Sequence, residues 1–174
     1  PTTFADWGVD SLSVSCHKFH GPVGVGALCL RDGVTPRPLL FGGFQEDGWR
    51  PGTVPLPLVL GFAAACRLFS ADVSPQLTMR RDRLETQLRD YLRIEVNGST
   101  AKRLPHTSNV AFLGCDRQAL LLAADRYDLC LSTGSACSSG SSERSPVLLA
   151  MGLPTEIVDS SVRFSVGRDT SLEE

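Results

Sequence analysis

Short apolar runs of strand-like character alternate along this chain with segments whose apolar residues recur at helical spacing, and that alternation limits the fold most. Residues 12–16, 23–30 and 39–41 read as strands separated by loops rich in glycine and proline. Residues 58–69, rich in alanine and leucine, are long enough for a buried helix. Leu77, Leu84, Leu88, Tyr91 and Leu92 fall on one face of a helix predicted over 76–93, with Pro75 in its first turn. Residues 109–113 predict a strand, Asp116 caps a helix running through Arg126, and residues 129–131 predict a further strand. A short helix over 146–151, stopped by Gly152, and a strand over 162–166 complete the pattern. The expectation is an α/β or mixed α+β architecture with a boundary near residues 70–74.

Composition narrows the functional classes. Hydrophobic residues make up 42% and charged residues 21%, which excludes a disordered, collagenous or coiled-coil chain. A net charge of -2 provides no basic field for nucleic acid or anionic membrane. The longest apolar stretch, near 56–66, is broken by Pro57 and Gly61 and falls short of the roughly 20 residues a membrane span needs. The 6 cysteines show no C-x-x-C spacing, so no metal site is expected and most should be buried, reduced thiols. Without a signal-peptide pattern, the expected setting is intracellular and cytoplasmic, an organelle remaining open. The chain begins at Pro1 and ends in Ser171-Leu-Glu-Glu174, the form of a capping box, so further chain is expected beyond it.

Lys18 follows the first strand and is surrounded by Ser15, His17, His20 and the glycines 21, 24 and 26. A lysine leaving a buried strand is partly desolvated, which favours the free amine and suits a Schiff base with a carbonyl cofactor. The neighbouring hydroxyl and imidazole suit a phosphate, while the plain alternative is a surface lysine in a turn. Cys137 lies among small residues, in Ser132-Thr-Gly-Ser-Ala-Cys137, where a thiol is either an accessible nucleophile or an incidental cysteine in a linker. Arg163, placed within the last strand, needs a carboxylate or phosphate partner or forms an edge-strand salt bridge, and Arg168 reads as solvated. The glycine-rich stretch from Gly42 to Thr53 either binds an anion or forms a turn, and it lacks the ending of a Walker loop. His20 and His106 read as loop residues without a site.

Four segments, in order, resemble the pyridoxal-phosphate-dependent cysteine desulfurases and selenocysteine lyases of the class V aminotransferase group. They are Val9-Asp-Ser-Leu-Ser-Val-Ser-Cys-His-Lys-Phe-His-Gly-Pro22, Gly42-Gly-Phe-Gln-Glu46 with Arg50-Pro-Gly-Thr53, Ser132-Thr-Gly-Ser-Ala-Cys137, and Val162-Arg-Phe-Ser-Val-Gly-Arg168. The resemblance implies a PLP-dependent transferase fold of the aspartate aminotransferase type. Residues 1–72 would be the end of its large cofactor-binding domain, and 73–174 an α+β C-terminal small domain lacking its final helix. It further implies that Lys18 carries pyridoxal 5'-phosphate, that Ser15 and His17 contact the phosphate, and that Thr53 reaches the phosphate of the other subunit of a homodimer. Arg163 would pair with the substrate α-carboxylate, and Cys137 would take sulfur from L-cysteine as a persulfide, leaving L-alanine.

A scaffold or acceptor protein would then receive the sulfur, and the Ser-rich sequence after Cys137 resembles the longer loop of desulfurases that serve iron-sulfur assembly. The family's cofactor-stacking histidine and its carboxylate on the ring nitrogen have no counterpart in the chain, so the 174 residues alone are expected to be inactive. Selenocysteine lyase is the alternative within the same chemistry. A non-catalytic module of the same fold is the alternative outside it.

Overall fold

The computed structural model describes residues 4–68, 73–134 and 143–171. The chain divides into two compact units, Pro1–Ala71 and Asp72–Glu174.

In the first unit, strands β1 (Ser11–Ser15) and β2 (Gly26–Leu30) pair antiparallel, with Ser11 opposite Leu30 and Ser15 opposite Gly26. Gly26 is required by this pairing, because a Cβ there would sit 2.7 Å from the Val14 carbonyl oxygen. Between the strands runs a 3-10 turn, Cys16–Phe19, against which helix α1 (Leu56–Leu68) packs. The small core joins Cys16, 0% exposed, to Ala65 of α1, and the Phe19 and Phe62 rings meet at 5.5 Å. Helix α1 is therefore less buried than its sequence suggests. Among its residues only Ala65 is buried, and Leu56, Leu60 and Leu68 face outward. Residues 39–41 form no strand, since Pro36 and Pro38 precede them and Leu39 and Phe41 are exposed without a ladder partner.

The second unit opens with α2 (Val73–Tyr91), followed by an antiparallel sheet ordered β3 (Ile94–Val96), β4 (Thr107–Phe112), β5 (Ser161–Ser165). Val96 lies opposite Val110, and Val110 opposite Val162, so the fully buried Val110 and Val162 form the centre of the core with Val158. Leu77, Leu84 and Leu88 are half-buried on α2, whereas Tyr91 is 85% exposed and Leu92 is exposed, so the apolar stripe is shorter than predicted.

The buried position of α2 is Glu85, which accepts from Arg103 at 2.6 Å and from Ser108 at 2.7 Å. Helix α3 (Arg117–Asp125) starts where expected, with Asp116 Oδ1 accepting from the Gln118 and Ala119 amides. Helix α4 (Pro146–Ala150) carries Pro146 in its first turn, and α5 (Thr155–Asp159) leads directly into β5. The strand expected over 129–131 is absent, and only Ser132 bridges to Arg163. The described cysteines are free, but only Cys16 is buried; Cys29, Cys66, Cys115 and Cys130 are exposed, contrary to the expectation from composition.

Candidate active site

A 3-10 turn places residues three apart on one side, which decides how the Lys18 segment presents itself. Cys16 and Phe19 face α1, and His17 and Lys18 are left on the exposed side together with Ser15 at the end of β1. Lys18 is thus exposed in these residues, where the sequence suggested a partly shielded amine. Burial raises the pKa of the Cys16 thiol, with the neighbouring Cys66 adding to the effect, so Cys16 serves as an inert anchor for the turn.

The turn closes at His20, in the left-handed region with φ 69°, and Gly21 follows where a Cβ would collide with Cys16 Sγ. Gly61 of α1 lies so close to Pro22 that a Cβ would come within 2.8 Å of its ring. Both contacts fix the turn that bears Lys18.

The side chains of Ser15, His17 and Lys18 have no hydrogen-bond or ion-pair partner among the described residues. A hydroxyl, an imidazole and an amine exposed within four residues at one turn have the chemistry for a phosphate-bearing aldehyde: two groups can donate to the phosphate and one can bond to the carbonyl. Thr53 belongs to the same unit, exposed in the loop before α1. Cys137 lies outside the described residues.

In the second unit, Arg163 sits on β5 directly opposite Asn109 of β4. Its Nη1 donates to the Gly134 carbonyl at 2.9 Å and its Nη2 to Ser132 Oγ at 3.2 Å. Among the described residues no carboxylate pairs with it. Arg163 lines a cavity of about 250 Å³ together with Asn97, Asn109, Gly134, Leu148 and Met151. Asn97 donates to Asn109 Oδ1 at 2.6 Å and to Ser161 Oγ at 2.8 Å.

The partners Ser132 and Gly134, and the cavity residues Asn97 and Asn109, were not foreseen, because strand pairing rather than local spacing brings them to Arg163. A larger open cleft of about 610 Å³, lined by Arg93, Cys115 and Asp159 among others, holds none of the predicted site residues. Arg168 is half-buried rather than solvated, and its carbonyl accepts from Arg80 at 2.8 Å. His106 is half-buried and burial lowers its pKa.

Known proteins share the sequence family and the fold. The aminotransferase class-V family profile matches residues 1–174. The chain is 46% identical over 167 residues to the cysteine desulfurase of Trichormus azollae, covering 94% of this chain and 42% of that protein. A solved NifS-like protein superposes with a TM-score of 0.86 at 30% identity, covering 99% of this chain and 45% of the other. The structure of SspA in complex with cysteine gives a TM-score of 0.71 at 34% identity, covering 93% of this chain and 45% of the other. The chain thus spans less than half the length of these relatives, and shares the α/β fold of the NifS-like proteins along its own length. By its sequence and its fold, the chain belongs to the aminotransferase class-V family.

Proposed function

We propose that the polypeptide carrying these residues is a pyridoxal-phosphate-dependent cysteine desulfurase that releases L-alanine from L-cysteine and holds the sulfur on Cys137. The observation that carries the reading is the outward-facing group of Ser15, His17 and Lys18, unpartnered among the described residues and anchored from behind by Cys16 and Phe19. Ser15 and His17 would donate to the cofactor phosphate, Lys18 would hold its aldehyde carbon, and Thr53 would reach the phosphate in the partner subunit of a homodimer. When bound, pyridoxal phosphate supplies an electron-withdrawing ring that stabilises negative charge at the substrate α-carbon.

Each remaining task falls to a residue of the chain. Arg163 binds the α-carboxylate and so fixes which way the substrate lies. The Lys18 amine, once free, moves the proton at the α-carbon. The Cys137 thiolate attacks the substrate sulfur; the new S–S bond forms as the C–S bond breaks, and the electron pair of that bond passes to the substrate carbon. Protonation of that carbon completes alanine. A thiol of an acceptor or scaffold protein then takes the outer sulfur, and the Ser-rich sequence after Cys137 favours a recipient that serves iron-sulfur assembly. A reducing, cytoplasmic compartment suits this chemistry because the thiolate stays available, and the described cysteines are free.

The test is alanine release from L-cysteine by the intact polypeptide with pyridoxal phosphate, and sulfide release when a thiol reductant such as dithiothreitol is added to reduce the persulfide. Lys18→Ala is expected to abolish both, and Cys137→Ser to abolish sulfur transfer while coenzyme binding persists. Unimpaired turnover by either variant would contradict the reading.

A further inference from the structure

Arg163 is tied to one short segment by both its backbone and its side chain. Its amide donates to the Ser132 carbonyl at 2.7 Å, its carbonyl accepts from the Ser132 amide at 3.2 Å, and its guanidinium turns back onto Ser132 Oγ and the Gly134 carbonyl. The character of these acceptors matters. Arg103 and Arg117 in the same unit end on carboxylates, Glu85 and Asp159, which neutralise them. Arg163 ends on neutral oxygens, which orient a guanidinium and leave its positive charge uncompensated. Arg80, also held by carbonyls, lines neither of the two cavities described above, whereas Arg163 does line one.

We propose that Ser132 is a positioning residue: its hydroxyl, together with the Gly134 carbonyl, fixes the Arg163 guanidinium so that its remaining N–H donors are ready for a substrate carboxylate. The inference rests on the desulfurase reading for the identity of that substrate. An unrestrained arginine side chain must give up rotamer freedom when a carboxylate binds, and restraint in advance removes that loss from the binding step. The Gly134 carbonyl is aimed by a backbone φ of 116°, a conformation that favours glycine. Space is not the constraint, since a Cβ at Gly134 would meet Ser145 at an ordinary 3.8 Å.

The experiment compares the intact polypeptide, loaded with pyridoxal phosphate, with its Ser132→Ala and Ser132→Thr variants. Loss of one hydrogen bond to a charged group is expected to raise KM for L-cysteine about tenfold in Ser132→Ala, with kcat within about twofold. Ser132→Thr, which keeps the hydroxyl, is expected to restore KM. Calorimetric binding of 3-mercaptopropionate, a carboxylate without an amine to condense with the coenzyme, gives a second readout, with Kd expected to rise by a similar factor. Should Ser132→Ala melt below the wild type, Ser132→Cys, similar in size and a poor acceptor, carries the same expectation.

An unchanged KM and Kd in Ser132→Ala, or a Ser132→Thr variant as weak as the alanine one, overturns the inference. A wild type that binds the carboxylate through Ser132 and Arg163 yet releases no alanine overturns the desulfurase reading instead.

Discussion

Glu85 and Asp159 show how single carboxylates organise the second unit. Burial alone would push the Glu85 carboxyl up. The hydrogen bonds from Arg103 and Ser108, with the charges of Arg103 and Arg81, outweigh burial and hold it below its usual range. Removing Glu85 from beneath Arg103 and Ser108 leaves them unmatched, so Glu85→Ala should cost about 3 kcal/mol in urea unfolding. The hydrogen bond from Arg144 leads in lowering Asp159 to about 2; burial opposes it, and Arg117 adds a second hydrogen bond. A carboxyl whose folded pKa is lowered stabilises above its unfolded value and loses that contribution as pH falls through the folded one. The stability gap between the wild type and Asp159→Asn should therefore be full at neutral pH and close between about pH 4 and pH 2. Thermal melts of the two proteins across that range check it. A gap undiminished at pH 2 would contradict the assignment. None of these pairs was legible in the sequence, because Glu85 and Arg103, or Arg163 and Ser132, meet through the fold across many intervening residues. The Asp116 cap was legible because its whole signal lies within three residues.

At the scale of elements, the turn bearing Lys18 depends on its glycine. A methyl group at Gly21 collides with Cys16 Sγ, the fully buried side chain behind the turn. Gly21→Ala should cost about 1–3 kcal/mol through overpacking, with coenzyme affinity falling alongside. A melting curve and a coenzyme titration on the same preparation measure both, and an unaltered affinity would show that the turn is not what holds the coenzyme. Long helices were legible: α2 and α3 declare themselves by periodicity and by cap. The three-residue β3 and five-residue α5 are too short for any period to register. Residues 39–41 and 129–131 have strand composition but no strand beside them, and composition cannot supply a partner.

Considered whole, the chain concentrates its core in one unit. Val110, Val158 and Val162 are almost fully buried in the second unit, while in the first Leu39 is 93% exposed and Phe41 and Phe44 are open. Hydrogen exchange should accordingly be slowest in β4 and β5, and comparable protection across β1 and β2 would contradict this division. Ser15, His17 and Lys18 are all exposed in these 174 residues. Water can therefore reach a coenzyme held on that turn, and the 174-residue chain alone should release no measurable alanine. The four ordered motifs made the family legible, but exposure of the lysine could not be read from them, since it depends on what covers the turn.

The most direct test is chemical labelling. The intact polypeptide is incubated with pyridoxal phosphate, reduced with borohydride and mapped by peptide mass. A pyridoxyl group is expected on the peptide containing Lys18 and should be lost in Lys18→Ala. A label at another lysine, or an equal yield in the variant, would contradict it.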